Sequence, residues 1–80
     1  MEKEIQEHID FLKQQLEQGK QRARLLEEIE EKLIEMRVIA EEILRNELSS
    51  FEKEAMNERF QLLQSEVIKL QKQLAPQMIH

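Results

Sequence analysis

The sequence contains no Cys, Trp or Tyr, one Gly, one Pro and three Phe among 80 residues. Without Cys there can be no disulfide, no thiolate metal site and no thiol nucleophile. A single Gly and a single Pro cannot furnish the left-handed positions and tight turns that β-hairpins, phosphate-binding loops and nucleophile elbows require. All-β and α/β folds are set aside on that ground. Long apolar runs are also missing. Nothing approaches the roughly 18 residues of a membrane span, and residues 1–10 are charged where a secretory signal needs an apolar stretch. A soluble, cytoplasmic protein is the expectation.

The chain is 40% hydrophobic and 36% charged, with a net charge of −5. It is rich in Glu, Gln, Leu, Ile, Lys and Arg, the composition of long helices and coiled coils. Its length suits one domain, residues 1–80. The charge is uneven. Residues 27–47 hold eight acids against three bases, whereas 1–26 and 48–80 are each balanced, so the whole excess lies in the middle.

Ile5, Ile9, Leu12 and Leu16 recur at spacings of four and three, and the line continues through Gly19 to Ala23 and Leu26. At 100° per residue these positions fill an arc of about 100°, the narrow seam of a coiled coil. Ile5, Ile9, Leu12, Leu16 and Ala23 are therefore assigned to self-association. Gly19 costs a helix about 1 kcal/mol relative to Ala. Helix 2–46 is expected to run through it, because Lys20-Gln21-Arg22 offers no N-cap for a restart. Interruption at Gly19 would instead give three helices able to close as a monomeric bundle.

From Leu25 to Leu48 the apolar stripe widens to about 140°. With Leu33 as zero, it runs from 240° to 20° and takes in Leu25, Leu26, Ile29, Met36, Ile39, Ala40, Ile43 and Leu44; a stripe that wide needs more than one neighbour. Ile34 and Val38 form a second, smaller patch at 100° and 140°, assigned to a partner protein, although two scattered exposed aliphatics would be ordinary. Arg37 falls at the edge of the main stripe. It is expected to lay its stem on apolar surface or to pair with a carboxylate across an interface.

Ser49 with Glu52 matches a capping box, so a second helix is expected from about residue 50. In it Met56, Phe60, Leu63, Val67, Leu70 and Leu74 alternate by four and three, the cleanest heptad run in the chain. Ala75-Pro76 is expected to end the helix at 75, because Pro lacks the amide hydrogen and disfavours helix before it. Residues 76–80 would form a tail in which Met78 and Ile79 either fray or dock on a neighbour. The hairpin core is assigned to Leu26, Ile29, Leu33, Met36, Ala40, Ile43 and Leu44 of the first helix and to the six heptad residues of the second.

Chemistry has little to work with. Glu4 and His8 are four apart on one helical face, but carboxylate-bundle metal sites use Glu-x-x-His, and neither His8 nor His80 has Glu three residues before it. Ser49, Ser50 and Ser65 have no His nearby in sequence. Glu27, Glu28, Glu30 and Glu31 are densely acidic, yet no turn gathers them as a calcium loop would. No enzyme activity, cofactor, metal or small-molecule substrate is expected.

Helices of 2–46 and 50–75 would span about 68 and 39 Å. Nearly half of the first would lie beyond its partner and forfeit roughly 1.5–3 kcal/mol for each coverable side chain left in water. An all-α helical hairpin or coiled coil assembling as a homodimeric helical bundle is the expected architecture. The expected role is that of a self-associating small regulator or adaptor that also binds another protein. The alternative is a nucleic-acid-associated dimer presenting Lys20, Arg22 and Arg24 to phosphates. Against it stand a pI near 5.1, Phe60 committed to the heptad line, and acids beginning at Glu27. A membrane-surface helix would need a cationic polar face that is missing here.

Overall fold

A computed structural model describes residues 1–78, with side-chain environments through Pro76. It contains two helices, α1 (Glu2–Arg45) and α2 (Ser50–Met78), packed antiparallel as a hairpin. The molecule measures 71 × 17 × 16 Å, and its radius of gyration is 20.0 Å, where a compact 80-residue domain has about 12 Å. The shape is a rod set by the length of α1.

α1 passes through Gly19 without a break, at negative φ. The three-helix alternative is thereby removed. A Cβ added at Gly19 would meet nothing within 4 Å, so no close approach within the chain calls for glycine there. The helix ends at Asn46, whose extended backbone (φ −105°, ψ 145°) leaves its N–H bonded to the Glu42 carbonyl at 3.1 Å. Arg45 in the last turn complements the negative end of the helix dipole. Ser49 caps α2: its Oγ accepts the Glu52 N–H at 3.1 Å. The Glu52 carboxylate accepts a hydrogen bond from the Ser49 hydroxyl at 3.2 Å, in place of the backbone N–H that a full capping box uses.

α2 continues through Pro76 to Met78, three residues beyond the expected end. Pro76 removes one backbone donor, to the Lys72 carbonyl, but it does so in the final turn, where several carbonyls lack helical partners in any case. The expected tail is thus helical as far as Met78. Ile79, His80 and the Met78 side chain lie outside the described residues.

The buried core is small: Ile29 from α1 and Leu63, Val67, Leu70 and Leu74 from α2. Leu25 and Met36 pack against it. Ile39, Ala40, Ile43, Met56 and Phe60 are half-buried. Leu26, Leu33 and Leu44, assigned to the core from sequence, are instead exposed at 47%, 48% and 85%. The reason is angular. One neighbouring helix covers only the 240–340° part of the broad stripe, and these three residues sit at its 0–20° edge.

Leu63 is 1% exposed, so Leu63→Ala should cost 2–5 kcal/mol through lost transfer energy and a cavity. Leu44→Ala should change stability by less than about 0.5 kcal/mol in the isolated chain. Urea unfolding followed by circular dichroism at a concentration where the chain is monomeric separates the two.

Candidate protein-interaction surface

Two lines of side chains divide α1. The first faces α2 and runs Leu25, Ile29, Lys32, Met36, Ile39, Ile43, spaced by four and three and all buried or half-buried. One member, Lys32, is a charge inside the groove, and it forms a salt bridge with Glu66 of α2. One layer away Arg59 holds Glu35 through a fork of 2.8 and 3.2 Å. Together the two bridges pin the register of the antiparallel pair. Lys32 therefore reaches across the groove to α2. A Lys that interrupts an otherwise apolar four-and-three spacing was the sequence signal for it.

Hydrogen bonding to Lys32 holds the Glu66 carboxyl below its ordinary value, with Arg59 and Lys69 adding to the effect and partial burial opposing it. A carboxylate depressed in the folded state stabilises at pH above its unfolded value, and that contribution is lost as pH falls through its folded value. Wild type should thus be more stable than Glu66→Gln at neutral pH. The two melting curves should converge as pH drops well below 4.5, the ordinary value; a difference independent of pH would remove the ion pair as its cause.

The second line lies one residue later in the same heptad count, about 100° round the helix. It runs Ile5, Ile9, Leu12, Leu16, Gly19, Ala23, Leu26, Glu30, Leu33, Arg37, Ala40, Leu44. Ile5 (61%), Ile9 (40%), Leu12 (52%) and Leu16 (61%) are exposed, as is Ala23. Leu26, Leu33 and Leu44 therefore extend the N-terminal seam instead of lining the hairpin. Ile34 and Val38, 55% and 48% exposed, stand beside it. Arg37 bonds Glu41 of its own helix at 3.0 Å and neither lies on the apolar surface nor crosses to another element. Glu41 also approaches Arg45, at 3.9 Å.

The accessible surface is 6956 Å². A compact monomer of 9.7 kDa exposes about 5,100 Å², so this chain carries some 1,800 Å² more, against about 800 Å² per partner in a standard interface. Surface depressions are shallow and open, such as the one between Ala40, Ile43, Leu44, Asn57 and Phe60 at the turn end. Among the described residues no group of three or more His, Asp or Glu is placed to hold a metal, and no helix is long and apolar enough to cross a membrane. Lys20, Arg22 and Arg24 are exposed and form no salt bridge among the described residues. The chain matches no family model, no curated protein and no solved structure.

Proposed function

We propose that this chain is a non-enzymatic protein–protein interaction module, a small regulator or adaptor that associates with itself through α1 and presents a second surface to another protein. The observation that carries the reading is the exposed apolar line Ile5, Ile9, Leu12, Leu16, Leu26, Leu33 and Leu44, which follows a coiled-coil repeat along the whole of α1. Single exposed aliphatics are ordinary, but a recurring line at heptad spacing, unbroken by charge from Ile5 to Leu26 and interrupted only at Glu30 and Arg37 beyond it, fits a surface that packs on another helix. Beside it, Ile34 and Val38 sit within the acidic stretch 27–47 and are assigned to the partner protein.

Replacing Ile9 and Leu16 by Asp should dissociate the oligomer. Light scattering should read more than one copy for wild type at micromolar concentration and 9.7 kDa for the double variant, with helix content in 25–75 retained. A wild-type mass that stays at the single-chain value at all concentrations sinks self-association. For the second surface, Ile34→Asp with Val38→Asp should leave the mass unchanged while abolishing retention of a partner from the native cell. If retention instead depends on Lys20, Arg22 and Arg24 and is removed by nuclease, the nucleic-acid reading takes its place.

A further inference from the structure

Resting on the proposed self-association, we infer that the second copy docks antiparallel along residues 2–26 of α1, about a two-fold axis at residue 14. α2 cannot cover this segment. Leu25 packs in the cluster that contains Leu74, Gln21 shares a surface depression with Gln73, and α2 has 29 residues against the 44 of α1, so the start of α1 projects about 22 Å past the hairpin.

A two-fold interface has to be complementary to itself about one point. The segment meets that condition twice about the same residue. The first pattern is size. In antiparallel pairing about residue 14, Ile5 faces Ala23, Ile9 faces Gly19 and Leu12 faces Leu16, so each of the six layers contains at least one large side chain. Parallel pairing in register would stack Gly19 on Gly19 and Ala23 on Ala23, leaving two adjacent layers nearly empty. Facing large and small residues is how helical layers interlock without voids. Gly19 has open space around it in the single chain, and this arrangement gives that space an occupant, Ile9 of the second copy.

The second pattern is charge. Residues 2–10 carry Glu2, Glu4, Glu7 and Asp10 against Lys3, a net −3, while residues 13–24 carry Lys13, Lys20, Arg22 and Arg24 against Glu17, a net +3. Antiparallel pairing lays each acidic half beside the other copy's basic half: Glu4 comes level with Arg24, and Glu7 with the stretch between Lys20 and Arg22. Parallel pairing sets like on like. Charges on helices about 10 Å apart are largely screened at physiological ionic strength, where the screening length is about 8 Å, and act fully only at low salt, where they select orientation more than they supply affinity. Lys13 approaches its own copy at the axis, where two solvated side chains can diverge. The groove that holds α2 is turned about 100° from this line, so neither copy's α2 obstructs the other's α1.

Because the chain has no Cys, single spin labels can be placed cleanly at Lys3→Cys and, separately, at Gln14→Cys, both on exposed positions off the seam. Antiparallel pairing offsets the two Lys3 labels along the axis by about 33 Å and the two Gln14 labels by about none. Pulsed dipolar spectroscopy on the full chain should therefore return a distance at residue 3 longer by at least about 10 Å than that at residue 14. Equal distances at the two sites mean parallel pairing and overturn the inference while leaving self-association standing. So does a dimeric mass with no dipolar coupling at Gln14, which would place the interface elsewhere. A single-chain mass with no coupling at either site overturns both.

Discussion

The length difference between the two helices governs the molecule. α1 has 44 residues and α2 has 29, so at 1.5 Å per residue one is about 22 Å longer than the other. An antiparallel pair joined by a four-residue turn must align at the turn end, and the surplus then falls wholly at the start of α1. Apolar packing alone would let such a pair slide by a turn, because one heptad looks much like the next. The Lys32–Glu66 and Arg59–Glu35 bridges oppose that, since a slide would leave a half-buried ammonium without its carboxylate. Their value lies in fixing register, as partly exposed ion pairs contribute little net stability.

α2 was legible because its signals agree with one another. The Ser49 cap, the six-residue heptad line and the absence of any competing turn residue before Pro76 all point to one helix with one apolar seam, and one neighbour is sufficient to cover it. The passage through Gly19 was legible for a local reason, the lack of any capping residue after it. α1 beyond Leu25 was harder to read, because its stripe is broad enough for two neighbours and angle alone does not say which part each takes. By angle Leu26, Leu33 and Leu44 fit the hairpin stripe, whereas their exposure puts them on the other line. Lys32 is hard to place from sequence because Glu28, four residues earlier, offers it a partner on its own helix, although its place in the four-and-three spacing sets it in the groove. Pro76 places the helix end three residues too early because the rule against proline concerns helix interiors, and the last turn tolerates it.

The two lines on α1 also separate folding from assembly. Groove residues such as Ile29, Leu63 and Val67 are buried by the chain itself, so their energy is available to a single copy. The large apolar residues of the second line, Ile5 to Leu44, stay 40–85% exposed in the single chain. An apolar line left exposed at a cost in solubility fits the proposed association, and the dense charge on the remaining faces of α1 opposes indiscriminate contact.

Five buried side chains among the described residues on a rod of this length leave little margin over the entropy of ordering the chain. Among the described residues, positions 1–18 are all exposed, and isolated helices of about 20 residues are marginal in water unless packed. Binding along the second line would therefore stabilise the helix as well as bury its apolar side chains, and concentration would control order in that segment by mass action. Gly19 sharpens the dependence: it loosens the helix where no intramolecular neighbour is present, so that firm helicity across residues 2–24 has to come from what packs beside it.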